Sequence, residues 1–284
     1  MRLTIFIILT LCSCANFAAE VTCSEVSSPP GTHHGETLRV ATLNIAHGRG
    51  GSLNQMLIGK SRIERNIDTV GVQLAAQDAH VVALQELDVD SLWAGGFDHA
   101  ARLMEGGRMN CAVLGLHAQT WLYRFGTGLL SEILLTEPRV IDFEPTPPTT
   151  TKGLVSATMN WRQGEQVKSV RIASVHLDFS RKKARKRQLA DIISAINEST
   201  VPIIVMGDFN EQWSSQDSVL RHLVEEAGMK AYQPESEDLP TYKSKRLDWI
   251  LVSRELEFVS YQVVGEEVSD HRMVTAELRW SSES

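Results

Sequence analysis

Hydrophobic and polar positions follow two different periods from Thr37 onward, and these periods predict strands and helices that alternate along the chain. Short apolar runs predict buried strands at "LRVATLN", "VVALQE" and "PIIVMG". Apolar side chains three or four residues apart predict a helix over residues 57–79, with Ile63, Ile67, Val70 and Leu74 on one face. Further helices are predicted at "DHAARLM", over about 183–197 and near 217–227. Three final strands are predicted around 247–253, 258–264 and 273–279.

The region from 120 to 175 is richer in strand signals and includes a predicted hairpin around "NWRQGEQ". Hairpins and strand–helix–strand units in one chain predict mixed sheets. The predicted fold class is therefore α/β, or α+β in some schemes. No repeat or linker interrupts residues 37–280, so a single domain is predicted there. With 43% hydrophobic and 22% charged residues, the composition is that of an ordinary globular protein.

Polar residues stand where several of the apolar strands end. These residues are Asn44, Glu86, His176, Asp208 and Asn210. Asp248 begins the strand "DWILV", and "SDH" (269–271) precedes the last strand, so both lie at the same edge if these strands run opposite to the others. One crevice would then collect all of these groups. Each alone is more often a turn residue or a solvated group, and the glycine of "VMGDFNE" predicts that the chain leaves the sheet there.

The collected side chains suit a divalent cation. The carboxylates of Glu86, Asp208 and Asp270, with the amide oxygen of Asn44, are hard oxygen donors that suit Mg²⁺ or Mn²⁺. No Cys/His cluster with zinc spacing competes with them. The stretch "DFNEQ" lacks the glycine and the distal glutamate of a calcium-binding loop.

The same set contains acid–base groups for hydrolysis at phosphorus. Such a reaction needs a positioned water and donors for the developing negative charge. Asp208 can orient or deprotonate the water, and Asn210 can donate its amide N–H to a phosphate oxygen. His176 and His271 can act as donors, with Asp248 fixing the tautomer of His271. Alone, either histidine is more often structural.

The N-terminus predicts export. Arg2 precedes the apolar run "LTIFIILTL", which is too short for a membrane span and has the length of a signal-peptide core. The following "LCSC" resembles the lipobox of bacterial lipoproteins, so we expect residues 1–14 to be a signal peptide and Cys14 to carry a lipid that anchors the protein to a membrane. Cleavage within "ANFAAE" is the alternative. The expected location is periplasmic or the outer membrane if the source is bacterial, and secreted otherwise.

Residues 15–36, which include "SSPPGTHHGE", are predicted to form a flexible tether. Cys23 and Cys111 remain once Cys12 leaves with the signal and Cys14 is lipidated. An exported compartment permits these two cysteines to pair, and the alternative is a tail thiol and an unrelated core thiol.

The ordered set of strand-end motifs resembles that of the endonuclease/exonuclease/phosphatase superfamily. The motifs are "TLN" (42–44), "LQELD" (84–88), "SVHLD" (174–178), "GDFN" (207–210), "LDWILVS" (247–253) and "SDHRMV" (269–274). They cover about residues 38–280. The superfamily includes deoxyribonuclease I, exonuclease III-like enzymes, neutral sphingomyelinases and inositol polyphosphate 5-phosphatases. Each motif is weak by itself, and the order makes the set specific.

The resemblance implies a four-layer sandwich of two mixed β-sheets flanked by helices, with a metal-dependent site at one rim. It implies a metal site of Asn44, Glu86 and Asp270, and catalytic residues His176, Asp208, Asn210, Asp248 and His271. In these roles Asp208 activates water, Asn210 and His176 contact the scissile phosphate, and Asp248 pairs with His271. Relatives differ in their general acid, so that role stays open between His176 and His271.

Several segments depart from the superfamily pattern. "YRFGTGLLSE" resembles "YGNAILSR", but Thr127 replaces the common Asn and Glu132 a common basic residue. The Trp-Cys-Asp-Arg signature of the 5-phosphatases is missing around Asp248. By contrast, "WAGGFDHAARL" (93–103) resembles a loop and helix start in a subset of bacterial members, where Asp98 and His99 either line the cleft or, for Asp98, cap a helix.

The basic run "RKKARKR" (181–187) has two interpretations, a solvated charge cluster or an anion-attracting lip beside the site. The net charge of −7 argues against a surface built throughout to bind nucleic acid.

Together, the motifs and the N-terminus predict a monomeric, exported, Mg²⁺-dependent phosphodiesterase or phosphatase, whose substrate is a small molecule, a lipid headgroup or a nucleic acid. The alternatives are a secreted nuclease and a catalytically silent binding protein on the same fold.

Overall fold

The computed structural model describes residues 19, 21–24, 29–52, 54–264 and 268–282. The strands are β1 Val21–Cys23, β2 Thr37–Asn44, β3 Val81–Asp88, β4 Cys111–Gln119, β5 Arg124–Ser131, β6 Thr136–Asp142, β7 Gly153–Gln163, β8 Gln166–His176, β9 Ile203–Asp208, β10 Lys230–Ala231, β11 Asp248–Val252, β12 Leu256–Val263 and β13 Val274–Trp280. The α-helices are α1 Lys60–Gln77, α2 His99–Gly106, α3 Lys182–Asn197 and α4 Val219–Glu226. None of the described helices has the length and apolar character needed to cross a bilayer.

The strands form two mixed sheets, as the alternation of hairpins and helices predicted. One sheet has the order β1-β4-β5-β3-β2-β13-β12 and the other β10-β11-β9-β8-β7-β6. The pairs β2/β3 and β8/β9 are parallel, and the remaining pairs are antiparallel. The predicted hairpin joins β7 to β8 at Gln163 and Gln166, and Gly164 supplies a positive φ of 57° at the turn.

Three apolar clusters divide the molecule into four layers. Side chains of both sheets, among them Val81 and Ile204, form the central cluster. Helices α1 and α2 cover the outer face of the seven-stranded sheet, and α3 and α4 cover the other sheet. Strands β3 and β9 are buried on both faces, which explains their unbroken apolar runs. The predicted four-layer sandwich is confirmed.

Two local predictions differ from the structure. The helix expected from residue 57 begins at Lys60, because Gln55–Leu57 form a separate 3-10 turn capped by the Asn54 side chain. The glycine before Asp208 does not turn the chain out of the sheet, since β9 continues to Asp208. Gly207 has a φ of 148°, and a Cβ there would lie 2.0 Å from the Val175 carbonyl oxygen. Close approach to β8 is therefore what requires glycine.

The flexible tether predicted for residues 15–36 is wrong for part of its length. Val21–Cys23 pair antiparallel with β4, and Cys23 is joined to Cys111 by a disulfide. Further along, His33 forms an isolated parallel β-bridge with Trp161. A strand of three residues is too short to show a periodicity in the sequence. The Cys23–Cys111 disulfide and hydrogen bonds to the edge of β4 hold it in position. The predicted signal peptide and Cys14 lie outside the described residues.

Candidate active site

Strand direction brings the predicted site residues to one rim of the sandwich. In the seven-stranded sheet, the parallel strands β2 and β3 carry Asn44 and Glu86 near their ends. In the other sheet, the parallel strands β8 and β9 pair His176 with Asp208. Strand β11 is antiparallel to β9, so Asp248 at its start pairs with Asp208. The ends of four strands and the start of a fifth therefore meet at this rim.

Asp208 lies at the centre of the site and is 1% exposed. Its Oδ2 accepts a hydrogen bond from Asn44 Nδ2 at 3.1 Å, across the two sheets. Its Oδ1 accepts from the backbone N–H of Asn210 at 2.8 Å, and Asn210 Nδ2 donates to a carbonyl of the neighbouring strand end. The Nε2 atoms of His176 and His271 lie 3.6 and 3.9 Å from Asp208 Oδ2.

A buried carboxylate–imidazole pair lies next to Asp208. His271 Nδ1 is 2.8 Å from Asp248 Oδ2, as the sequence predicted for this pair. Burial opposes the charged imidazole, but the carboxylates of Asp248 and Asp208 outweigh it and raise the pKa of His271 to about 10. Burial, followed by the Asp248 charge, raises the pKa of Asp208 to about 7. A carboxylate that changes protonation near neutral pH suits a general base.

His176 is 4% exposed and contacts the ammonium group of Lys152. Its Nδ1 lies 3.4 Å from the Nζ of Lys152, and its Nε2 faces Asp208. Burial and then the Lys152 charge hold the pKa of His176 well below its usual range. The two histidines therefore differ, because their surroundings favour the charged form of His271 and the neutral form of His176.

Glu86 reaches the rim because β3 is irregular at this point. The register with β5 shifts between Gln85 and Leu87, and Glu86 has a positive φ of 53°. Such a bulge turns a side chain away from the regular alternation of the strand. The strand itself continues to Asp88, two residues beyond the predicted end.

Glu86 and Asp270 meet on one guanidinium. Arg49 Nη1 lies 3.4 Å from Glu86 Oε2, and Arg49 Nη2 lies 2.5 Å from Asp270 Oδ2. Ser269 Oγ donates to the Asn44 carbonyl at 2.7 Å, which holds the Asp270 loop beside β2. The two carboxylates thus converge on a single centre of positive charge.

The donor set at this rim fits a small divalent cation. Glu86 and Asp270 supply two carboxylates on either side of the Arg49 guanidinium. The amide oxygen of Asn44 accepts from the backbone N–H of Ala46 at 3.0 Å and has a second lone pair for a cation. A second group, one atom each from Asp208, Asp248 and His271, lies within 4.8 Å of one another. In this second group Nδ1 of His271 is already hydrogen-bonded to Asp248, whereas Glu86 and Asp270 converge on the side-chain cation of Arg49.

His47 and Arg49 belong to the site but were not identified in the sequence. His47 Nε2 lies 3.2 Å from Glu86 Oε2, and its Nδ1 lies 2.7 Å from Asp88 Oδ2. Burial favours the neutral carboxyl of Glu86, but His47, Lys152 and other cations hold the pKa of Glu86 below its usual range. The only signal available was the glycine-containing "AHGRG", directly after the Asn44 strand.

Lys152 also belongs to the site, and no sequence signal pointed to it. It is 6% exposed, whereas lysines are almost never fully buried without a partner. A lone lysine in a threonine-rich loop is expected to be solvated, so only the folded structure identifies it.

The basic run is mostly neutralised within the chain. Arg185 Nε donates to Glu211 Oε2 at 2.8 Å in a buried ion pair. The other paired cations are Arg181 with Asp178, Lys182 and Lys186 with Asp217, and Arg187 with Glu144. These contacts favour the interpretation as a structural charge cluster over a free anion-attracting lip.

Thr127, which departs from the superfamily pattern, and the two candidate cleft residues Asp98 and His99 have structural roles. Thr127 is 1% exposed and forms a hydrogen bond of 2.8 Å with His117 Nε2. Asp98 caps α2, since its Oδ1 accepts from the backbone N–H of Ala101. His99 is buried and its Nε2 binds the carbonyl of Ala94, so it does not line the cleft.

A groove of about 900 Å³ lies elsewhere and is lined by residues such as Leu116, Ile141 and Ile196. It contains none of the predicted site residues. Of these two places, the rim is the one that brings acids, bases and oxygen donors for a cation together, so it is the candidate active site.

The sandwich brings carboxylates, amides and histidines to one rim, an arrangement that suits the hydrolysis of phosphoric esters. The family model of the Endonuclease/Exonuclease/phosphatase family matches residues 41–271, and the chain belongs to this family. The predicted family is confirmed. A search of the curated proteins finds no match.

Solved structures share the fold at low sequence identity. An endonuclease/exonuclease/phosphatase from Beutenbergia cavernae DSM 12333 is 18% identical, with a TM-score of 0.68 over 87% of this chain and 72% of that one. The human Nocturnin catalytic domain with bound sulfate is 16% identical, with a TM-score of 0.65 over 93% and 98%. A mannosyl-6-phosphatase from Bacteroides thetaiotaomicron VPI-5482 is 15% identical, with a TM-score of 0.63 over 86% and 100%. At these identities the likeness concerns the fold alone.

Proposed function

We propose that this protein is an exported hydrolase of phosphoric esters that uses Mg²⁺, or Mn²⁺ in its place. One observation carries the proposal: Asp208, at the centre of the rim, lies within 4 Å of both His176 and His271 and beside the cation site. Base, donors and cation ligands therefore surround a single position, which is the arrangement that hydrolysis at phosphorus needs.

In the proposed mechanism Asp208 accepts a proton from the attacking water. Hydrogen bonds from Asn44 and from the backbone of Asn210 hold its carboxylate in place. The amide of Asn210 has two N–H donors, one of which is used by the Leu177 carbonyl, so the second can serve a phosphate oxygen.

The two histidines have separate roles in this mechanism. His271 is hydrogen-bonded to Asp248 through Nδ1, which directs its Nε2–H into the site, where it can donate a proton to the leaving oxygen. His176 is neutral and donates a hydrogen bond to a non-bridging oxygen. The general acid, which the sequence left open between them, is therefore assigned to His271.

Glu86 and Asp270, with the amide oxygen of Asn44, would hold the divalent cation. Bound there, the cation would neutralise charge on the non-bridging phosphate oxygens. Arg49 lies on the same two carboxylates, so it must withdraw when the cation binds.

A substrate panel tests the proposal. Plasmid DNA, RNA, sphingomyelin, inositol phosphates, sugar phosphates and a generic diester are each incubated with Mg²⁺ or EDTA, for wild type, Asp208→Ala and the exposed-site control Asp238→Ala. We expect at least one ester to be hydrolysed by wild type and the control only, and only with metal. Activity that survives EDTA or Asp208→Ala would contradict the mechanism. No hydrolysis of any ester would favour a binding protein on this fold.

Export is supported by the signal-like N-terminus and by the Cys23–Cys111 disulfide, since disulfides persist in oxidising compartments. Membrane partitioning of wild type against Cys14→Ala tests the lipid anchor. We expect wild type in the membrane fraction and the variant in the soluble fraction. Equal release of both would refute lipidation.

A further inference from the structure

Lys152 is the least expected charge in the site. It follows the loop after β6 and precedes Gly153, which pairs with His176 in the β7/β8 ladder. This register places the lysine beside the imidazole, with 3.4 Å between Lys152 Nζ and His176 Nδ1. The Phe125 ring is centred 5.9 Å from Nζ.

A buried ammonium is costly unless negative charges compensate it. Burial lowers the pKa of Lys152, while Glu86, Asp208 and Asp178 act in the opposite direction. Three carboxylates therefore favour the charged lysine at a position that solvent barely reaches.

The contact with His176 has a fixed direction. An ammonium has three donors and no acceptor, so His176 Nδ1 must accept the hydrogen bond and cannot carry a proton itself. A neutral imidazole has one N–H, and here it must be on Nε2, the atom that faces Asp208 and the reaction centre.

We propose that Lys152 is a positioning residue that donates to His176 Nδ1 and so keeps His176 a neutral imidazole with its N–H directed from Nε2 toward the substrate phosphate. The role toward phosphate rests on the proposed function, whereas the protonation state of His176 does not. Without Lys152, the groups facing His176 are Glu86, Asp208, His47 and His271, and the nearest of these is the Asp208 carboxylate. In the absence of the Lys152 charge, His176 would be protonated to an imidazolium more readily.

Nitrogen NMR of ¹⁵N-histidine-labelled full-length protein tests this directly. In wild type we expect His176, assigned by its loss in His176→Gln, to show an N–H at Nε2 and an acceptor Nδ1, unchanged from pH 5.5 to 8. A proton on Nδ1 in wild type would overturn the proposal, and this result requires no lysine variant to fold.

Lys152→Met and Lys152→Arg provide the second measurement, with Lys183→Met as an exposed control. We expect His176 to become protonated in the acid half of this range in Lys152→Met only, and to stay neutral in Lys152→Arg, which keeps a charged donor. An unchanged His176 in folded Lys152→Met would overturn the proposal.

Kinetics with an ester hydrolysed in the substrate panel test the link to function. We expect Lys152→Met to lower kcat about tenfold, the size of a lost charged hydrogen bond, with KM within about twofold and with restoration in Lys152→Arg. A change in KM alone would overturn the positioning role. If no ester is hydrolysed, the NMR result still decides the state of His176, so failure of the proposed function and failure of this inference are distinguishable.

Discussion

Several residues at the rim of the site have a strained backbone, and positive φ angles also occur elsewhere in the described chain. Glu86, His47 and Asn210 are not glycines, yet their φ angles are 53°, 55° and 49°. Left-handed conformations of such residues cost about 1–3 kcal/mol each and persist where the surroundings determine them. Each of the three directs a polar side chain or backbone group toward Asp208 or the cation site. This cost is compensated by the packed strands on either side.

His80 gives a residue-scale prediction for pH dependence. Its Nδ1 accepts from the backbone N–H of Arg39 at 2.9 Å, and its ring lies 4.3 Å from His33. Burial, then His33 and Arg39, lower the pKa of His80 from 6.5 to about 4. Between these values the unfolded chain binds more protons than the native one, so stability falls as pH decreases from about 6.5 to 4.

We expect His80→Asn to reduce this loss by about 1–2 kcal/mol after allowance for solvent screening, because Asn keeps the acceptor for Arg39 and does not titrate. Urea unfolding of both proteins between pH 4.5 and 7.5 measures the effect. The same pH slope in both would show that His80 does not contribute. Any slope that the variant retains belongs to other groups, including His33.

At the level of elements, sequence analysis predicted most of the fold because long periodic segments determine their own structure. The apolar residues of helix α1 fall on one face, and strands β3 and β9 are apolar on both faces, so the sequence determines which sides of these elements are buried. The site residues on strand ends were predictable for the same reason, since strand direction determines where an end lies. Their catalytic and metal-binding roles remain predictions.

The missed parts depend on contacts between distant segments. Strand β1 depends on its disulfide to Cys111, and Lys152 depends on carboxylates from β3 and β9. Arg49 depends on Asp270, which is 221 residues away in sequence. No local pattern encodes such pairings. The Cys23–Cys111 bond was one of two alternatives that the sequence left open, and the other contacts were not predicted.

The disulfide gives an element-scale prediction. Cys23 and Cys111 are separated by 88 residues, and closing so long a loop restricts the unfolded chain. We expect Cys23→Ala/Cys111→Ala to lower the free energy of unfolding by about 2–5 kcal/mol. Chemical unfolding of the variant, with reduced wild type as the matched comparison, measures the loss. Wild type that unfolds at the same denaturant concentration with and without reductant would contradict it.

At the level of the whole molecule, the charge distribution predicts contrasting effects of two neighbouring substitutions in the basic run. Arg185 and Glu211 form a buried pair, so Arg185→Gln leaves a buried carboxylate unpaired. We expect it to cost about 3–5 kcal/mol of stability. Lys186 pairs with Asp217 at the surface, so we expect Lys186→Gln to leave stability unchanged.

Thermal unfolding at low and high salt distinguishes the two substitutions. An anion-attracting lip would give a different result, in which both variants fold normally and lose turnover of polyanionic substrates. That outcome would contradict the structural interpretation of the run.

Strand β1 also has a consequence for the behaviour of the protein in solution. It covers the outer edge of β4, at one end of the seven-stranded sheet. An uncovered edge presents unpaired N–H and C=O groups on which another chain can add a strand. Three residues are too few to stay there by hydrogen bonds alone, and the bond from Cys23 to Cys111 fastens them. We therefore expect the disulfide to limit edge-to-edge aggregation, and the reduced protein to be the form in which self-association appears first.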